Sequence, residues 1–126
     1  MRGEASQRTE RRRDAHLYGL KAESVAALLL RLKGYTILAR RFVVSGGEID
    51  LIARRGGSIA FVEVKARATL DAAAESVTPR QKQRIAQAAE LWLAHFPQPA
   101  IRDFRFDAIL IAPGKLPRHI PAAFES

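Results

Sequence analysis

The chain has 126 residues, which is enough for one domain with a single hydrophobic core and too few for a second full domain. It has no cysteine, so disulfides, thiolate metal sites and a cysteine nucleophile are excluded, and no apolar run is long enough to cross a membrane. The 21 Lys and Arg residues against 13 Asp and Glu residues give a net charge of +8. This charge favours a polyanionic partner, nucleic acid first, over the alternative that it serves solubility alone.

The N-terminal segment is rich in arginine and poor in apolar residues. Residues 1–14 carry five arginines, so we predict a flexible basic arm that is either solvated or in contact with phosphates. No apolar segment follows it as one would in a secretory signal, and we therefore expect a cytoplasmic protein.

The first predicted helix covers residues 16–33, where leucine and valine recur at helical spacing and Gly34 follows as a stop. Glu23 lies within this helix, and only glycine, alanine and leucine stand three or four positions away from it. No basic residue of the same helix can therefore pair with Glu23. Either it has a partner elsewhere in the fold, or its pKa is raised, or it is a partly exposed glutamate without a special role.

Three antiparallel strands are predicted next. Residues 35–44 are β-branched and aromatic, and residues 46–67 contain two alternating runs that fold back on each other at Gly56 and Gly57. Both glycines tolerate the positive φ of two-residue hairpin turns, which favours them as the two central residues of the turn. This turn determines which residues of the two runs face each other.

In that register Asp50 lies opposite Glu63, and Glu48 lies opposite Lys65. Opposed carboxylates destabilise a sheet, so we expect a positive group between them: Lys65, a divalent cation or both. Hard oxygen ligands suit Mg²⁺ or Mn²⁺, and the backbone carbonyl of Val64 could add a further ligand. The alternative is a structural charge network in which Lys65 and neighbouring arginines neutralise the acids.

A second helix is predicted from Pro79 to about Phe96, because Thr78 and Gln81 supply an N-cap and a capping-box partner. Residues 68–77 before it show no clear period. The first turns of the helix carry Arg80, Lys82 and Arg84, and its predicted apolar stripe is Ile85, Ala89, Trp92 and Phe96. Cations at a helix N-terminus oppose the macrodipole, so either an anion such as phosphate binds there or the face is solvated.

The last predicted strand covers residues 103–112 and joins the sheet parallel to a neighbour through the second helix. Residues 15–113 then form one α/β domain, a sandwich with a mixed sheet. Residues 114–126, which contain Pro117 and Pro121, are predicted to be an extended C-terminal tail.

The spacing of Asp50 and Glu63-Val64-Lys65 resembles the motif of the PD-(D/E)xK superfamily of restriction-endonuclease-like proteins. More narrowly, the chain resembles the YraN-type family of small bacterial proteins, which is related to archaeal Holliday-junction resolvases. The matching pieces, within residues 16–112, are GYTIL (34–38), GEIDLI (47–52), FVEVKAR (61–67), Val77-Thr78 with Lys82 and Arg84, and Arg105-Phe106-Asp107.

This resemblance implies a restriction-endonuclease-like three-layer sandwich with an αβββαβ core and a mixed sheet. It implies that Asp50 and Glu63 are metal ligands, that Lys65 is the catalytic lysine and that Glu23 is a further acid of the site and a further metal ligand. The implied cofactor is Mg²⁺ or Mn²⁺, with no small-molecule cofactor.

The implied function is a metal-dependent endonuclease, a phosphodiester hydrolase acting on DNA, with branched or flap structures as candidate substrates. Its contacts to the phosphate backbone are expected from Arg67, Arg80, Lys82 and Arg84. The alternative is a catalytically silent nucleic-acid-binding or adaptor protein with a nuclease-like fold. DNA is the expected partner, a homodimer is compatible with the resemblance, and no membrane is involved.

Overall fold

The computed structural model describes residues 21–124, which form a five-stranded sheet with helices on both faces. The predicted basic arm, residues 1–14, lies outside the described residues. The elements in chain order are α1 (21–32 of the described residues), β1 (Thr36–Val44), β2 (Gly47–Arg55), β3 (Ser58–Ala66), α2 (Leu70–Glu75), α3 (Pro79–His95), β4 (Asp103–Ile111) and β5 (Arg118–Phe124).

The sheet has the strand order β1-β2-β3-β4-β5. Neighbouring strands are antiparallel except β3 and β4, which are parallel and connected through α2 and α3, as predicted for the last strand. Helix α1 packs on one face of the sheet, and α3 packs on the other. The chain is therefore a three-layer α/β sandwich with a mixed sheet, which confirms the predicted fold class.

Each face of the sheet buries its own hydrophobic core. Leu51 and Val62 are fully buried beneath Leu30 of α1, whereas Phe61 packs edge-on against Trp92 of α3 with 6.0 Å between ring centroids. Strands β2 and β3 are thus covered on both faces, which explains their nearly continuous apolar centres. Ionisable side chains at the ends of these two strands are exceptions that need a physical reason.

Helix α3 begins as predicted and ends one residue earlier. Thr78 is its N-cap, Pro79 is its first residue, and Gln81 completes the capping box. The prediction of Phe96 within the apolar stripe was wrong, because Phe96 is the C-cap with non-helical backbone angles and is 53% exposed. Once the helix ends, helical spacing no longer determines which way a side chain points.

Two elements were not predicted. The aperiodic stretch before α3 contains α2, whose N-cap Thr69 accepts a hydrogen bond from the amide of Ala72. This helix has six residues, too few to show a helical period. The predicted extended tail was also wrong over Arg118–Phe124, because β5 pairs with β4 and Phe124 is buried. Pro121 fits there because β5 is an edge strand, where a missing amide donor is tolerated.

Among the described helices, none is both long and apolar enough to cross a membrane.

Gly47, the first residue of β2, allows α3 to lie directly against the sheet. A Cβ atom at Gly47 would lie 2.5 Å from the carbonyl oxygen of Arg84 and 3.0 Å from the backbone nitrogen of Ala88. Both atoms belong to the helix backbone, so neither can move aside without displacing α3. Gly47 therefore allows the second and third turns of α3 to pack against the start of β2.

We expect Gly47→Ala to lower the free energy of unfolding by about 2 kcal/mol, because the added methyl group overpacks this contact. Urea denaturation followed by circular dichroism measures the change. Gly57→Ala is the matched control, since the nearest atom there is a side-chain nitrogen of Arg102 at 3.6 Å. Equal stability of Gly47→Ala and the wild type would show that the helix is not packed so closely.

Candidate functional site

The β2–β3 hairpin has the predicted turn and register. Gly56 has a φ of +59°, and the paired residues run from Arg55–Ser58 to Leu51–Val62. Regular pairing ends there, one position before Asp50 and Glu63 would oppose each other. The predicted register is therefore confirmed over these pairs, but Asp50 and Glu63 do not form a backbone pair.

Asp50 interrupts the alternation of β2. Leu51 packs in the core beneath α1, while Ile49 and Ile52 both pack in the core beneath α3. In a regular strand Ile49 and Leu51 would lie on the same face of the sheet, so the alternation of side chains between the two faces is broken at Asp50. The Oδ2 atom of Asp50 accepts a hydrogen bond of 2.7 Å from the backbone amide of Val64 in β3. The carboxylate thus occupies the gap between the two strands where a backbone acceptor would otherwise lie.

The interruption extends into β1. Pairing between β1 and β2 joins Arg40 to Leu51 and Phe42 to Ile49, and Arg41 between them has a φ of +52°. A left-handed backbone is unfavourable for a residue with a side chain, and such residues concentrate at functional sites. The sheet is therefore irregular in both strands next to Asp50.

Five of the predicted site residues line one cavity of about 300 Å³ at this end of the sheet. The wall from the sheet is made by Glu48, Asp50, Glu63, Val64 and Lys65, and the wall from α3 by Gln81, Arg84 and Ile85. The strands bring the acids and the lysine together, and the close contact at Gly47 brings α3 to them. A polar cavity in which three carboxylates and two basic groups converge is a candidate binding site.

The cavity carries more negative charge than its lysine neutralises. The Nζ atom of Lys65 lies 2.9 Å from Oε1 of Glu63, with both side chains about one-tenth exposed, and no described ion pair joins Lys65 to Glu48. Burial and the charge of Glu63 raise the pKa of Asp50 to about 7, although the Val64 hydrogen bond opposes the rise. Burial likewise raises the pKa of Glu63, and Lys65 opposes that rise.

The donor set of this cavity fits a hard divalent cation. One oxygen of Asp50 and one of Glu63 accept no hydrogen bond or ion pair from the described residues. Within residues 21–124, no group of three His, Asp or Glu side chains is close enough to hold a metal. Mg²⁺ does not require one, because it keeps several waters and commonly binds through one or two carboxylates. A cation there would also relieve the repulsion that raises the pKa of Asp50.

Glu23 has a partner from outside its own helix. Its Oε1 atom lies 3.6 Å from Nε of Arg41, and its side chain is 14% exposed. Glu23 does not line the cavity, but its charge adds to the rise in the pKa of Asp50. The structure thus places the charge of Glu23 near Asp50 but outside the cavity lining, and the role of Glu23 as a metal ligand stays a prediction.

The four predicted phosphate contacts lie at different places. Arg84 lines the cavity, and the positive charge of Arg67 is near enough to lower the pKa of Glu63. Lys82 lies on another side of α3, where its Nζ atom is 5.7 Å from the ring centroid of Phe124. Arg80 is exposed and does not line the cavity.

Two residues near the site were not singled out from the sequence. Gln81 was recognised only as part of the capping box, yet it also lines the cavity. Its position one helical turn before Arg84 and Ile85 was a usable signal, because residues three or four apart share a helix face. Arg41 had no such signal, since its ion pair depends on how α1 lies against β1.

Comparison with known proteins identifies the family. The model of Uncharacterised protein family UPF0102 matches residues 22–111. The chain belongs to the UPF0102 family. A UPF0102 protein of Methylorubrum extorquens (strain PA1) is 58% identical over 115 residues, covering 91% of this chain and 90% of the relative. A UPF0102 protein of Bradyrhizobium sp. (strain ORS 278) is 62% identical over 108 residues, covering 86% of this chain and 77% of the relative.

Membership of UPF0102 confirms the resemblance to the YraN-type family. The UPF0102 match includes all the residues that line the cavity and also Glu23 and Arg41. It ends at residue 111, before β5 begins. The cavity thus belongs to the segment shared across UPF0102, whereas the fifth strand lies beyond it.

Proposed function

We propose that this UPF0102 protein is a metal-dependent endonuclease of the PD-(D/E)xK superfamily that acts on DNA. The observation that carries the proposal is the pair of largely buried carboxylates, Asp50 and Glu63, that share one cavity with Lys65. Such a pair costs folding free energy, since burial and mutual repulsion disfavour its ionised state. Perturbed carboxylates that meet in a cavity are typical of sites that bind a cation or transfer protons.

Asp50 and Glu63 would hold the metal ion, each through the oxygen that has no partner among the described residues. When bound, Mg²⁺ or Mn²⁺ supplies polarisation of a phosphate oxygen and a lower pKa for water. Val64 contributes by holding Asp50, because its amide donates to the other oxygen of that carboxylate. The hydrogen bond restricts rotation of the Asp50 side chain and so orients its free oxygen.

Lys65 would place its ammonium group beside the reacting phosphate. The ion pair with Glu63 holds Nζ at the cavity, where it can orient a water molecule and offset negative charge that develops in the transition state. Arg84 supplies a second cation from the α3 wall. In this proposal the phosphodiester lies against Lys65 and Arg84, and the net charge of +8 favours its approach.

Cleavage of plasmid and branched DNA tests the proposal. We expect the wild type to cut supercoiled plasmid, flap or four-way-junction substrates with Mg²⁺ or Mn²⁺ and not with EDTA. Lys65→Ala should cut at least about 100-fold more slowly, because within residues 21–124 it removes the only lysine that lines the cavity, and should still bind DNA. Lys115→Ala, at an exposed loop position, is the matched control and should cut at the wild-type rate.

DNA binding without cleavage under any divalent metal would overturn the nuclease and support the alternative, a catalytically silent nucleic-acid-binding or adaptor protein. Binding to DNA should weaken as salt rises, because phosphate contacts release counterions. Equal rates of cleavage by the wild type and Lys65→Ala would show that Lys65 has no part in the reaction.

A further inference from the structure

Gln81 uses one half of its side-chain amide to cap α3. Its Oε1 atom accepts a hydrogen bond of 3.1 Å from the backbone amide of Thr78, and the backbone amide of Gln81 donates to Oγ1 of Thr78 over 3.3 Å. The first of these bonds restricts the orientation of the Gln81 side chain. Gln81 also lines the acidic cavity, so a side chain of fixed orientation forms part of the wall opposite Asp50 and Glu63.

The capping bond determines what the rest of this amide can do. A glutamine side chain has one acceptor oxygen and a nitrogen with two donors, and the oxygen of Gln81 is already occupied by Thr78. The oxygen keeps a second lone pair, but Nε2 is the end of this amide that has no hydrogen-bond partner among the described residues. Nε2 of Gln81 and the guanidinium of Arg84 thus provide hydrogen-bond donors on the α3 side of the cavity. They face the carboxylate acceptors on the sheet side.

The residue type at this position is informative. A capping box accepts Glu as readily as Gln, and Glu would interact favourably with the helix macrodipole. In this cavity, however, Glu would add a negative charge to Glu48, Asp50 and Glu63. Glutamine keeps the cap and supplies donors instead, which suits an anionic ligand bound against α3.

We propose that Nε2 of Gln81 donates a hydrogen bond to a non-bridging phosphate oxygen of a bound DNA strand. Arg84 contacts the same phosphate group from the next turn of α3. Gln81 is then a substrate-positioning residue: it holds the phosphodiester against the acidic wall. This inference rests on the proposed function, since it takes a phosphodiester as the ligand of the cavity.

Two glutamine-to-glutamate variants of the full chain test the proposal. Gln81→Glu keeps the capping acceptor, so the cap of α3 should remain, but it replaces the donor with a negative charge. Gln83→Glu makes the same charge change on the same helix at an exposed position outside the cavity. Fluorescence anisotropy with a labelled DNA duplex, measured with Ca²⁺ in place of Mg²⁺, reports the Kd.

We expect Gln81→Glu to raise the Kd at least about tenfold, the effect of losing a hydrogen bond to a charged group, and Gln83→Glu to raise it less than about threefold. Equal weakening of DNA binding by the two variants would show that the effect comes from long-range charge, and it would overturn the proposal. A wild-type Kd for Gln81→Glu would also overturn it. A purely structural role for Gln81 predicts that result, because the cap is intact in this variant.

The test separates this inference from the proposed nuclease. Weaker binding specific to Gln81→Glu supports a phosphate contact even if the wild type cuts no substrate, in which case the proposed reaction alone fails. The opposite outcome is metal-dependent cleavage by the wild type together with a Kd and KM of Gln81→Glu that equal those of the wild type. The reaction then stands, and the role of Gln81 fails.

Discussion

Asp50→Asn is expected to abolish metal-dependent DNA cleavage and, at pH 8, to make the protein more stable. Asparagine keeps an oxygen that can accept the amide hydrogen of Val64, so the contact between β2 and β3 survives. It loses the negative charge that a divalent cation requires. We expect cleavage to fall at least about 1,000-fold, because Lewis-acid stabilisation of a transition state is worth several kcal/mol.

The gain in stability follows from the direction of the pKa shift. The pKa of Asp50 in the folded protein is about 7, against 3.8 for an unperturbed aspartate. Between these values the unfolded chain ionises while the folded chain stays protonated, so the stabilising contribution of Asp50 is complete below pH 4 and is lost as pH rises through 7. The full difference corresponds to roughly 4 kcal/mol, which is an upper limit. Asparagine does not ionise, so the Asp50→Asn variant does not lose this stability as the pH rises.

Denaturation of the wild type and Asp50→Asn from pH 4 to pH 8, without divalent metal, measures the effect. We expect Asp50→Asn to gain at least about 1 kcal/mol over this range relative to the wild type. Asp71→Asn, at an exposed position of α2, is the control and should keep both stability and cleavage. Lower stability of Asp50→Asn at pH 8 would indicate a structural charge network, the alternative interpretation of these acids.

Asp107→Asn is expected to destabilise the fold strongly and to loosen β5. Asp107 is fully buried and accepts hydrogen bonds from Arg105 at 3.0 Å, from His119 at 2.8 Å and from the amide of Ala122 at 2.9 Å. The last two donors belong to β5, and the β4–β5 register shifts at this position. Arg105 also donates to the hydroxyl of Tyr35, so the carboxylate connects three parts of the chain.

The acid dependence of this network has the opposite sign to that of Asp50. Burial alone would raise the pKa of Asp107, but the hydrogen bonds from His119 and Arg105 outweigh it and lower the pKa to about 2. The stabilisation is therefore complete above pH 4, the range of an unperturbed aspartate, and is lost as pH falls through 2. A shift from 3.8 to about 2 corresponds to roughly 2 kcal/mol.

Asp107→Asn should lose about 3 kcal/mol at pH 7, because Arg105 keeps its charge but loses its buried carboxylate partner and retains only the exposed Asp103 at 3.9 Å. The difference from the wild type should shrink by about 2 kcal/mol towards pH 2. Chemical denaturation measures both values, and hydrogen exchange should show faster exchange over Arg118–Phe124. Asp103→Asn, which removes the more distant and 54% exposed carboxylate partner of Arg105 on the same strand, is the matched control. Unchanged exchange in β5 would show that another contact holds this strand.

Much of the fold could be predicted because it depends on short-range patterns. The 2-residue and 3.6-residue periods located β1 to β4, α3 and the described part of α1, and the glycine pair located the hairpin turn. Six-residue α2 is shorter than two helical turns, so no period could show it. Strand β5 was missed because Pro117 and Pro121 suggest an unpaired segment, and only the neighbouring β4 shows that an edge position was available.

The meeting of Asp50, Glu63 and Lys65 could be predicted from local patterns, because a two-residue turn and a two-residue side-chain period leave little choice of register. The residues that face them depend on how the helices pack on the sheet. Gly47 lets α3 bring Gln81 and Arg84 to the cavity. The packing of α1 against β1 pairs Glu23 with Arg41, and β4 and β5 enclose Asp107. These contacts join residues far apart in the chain, and their geometry depends on how whole helices and strands pack, which no local pattern encodes.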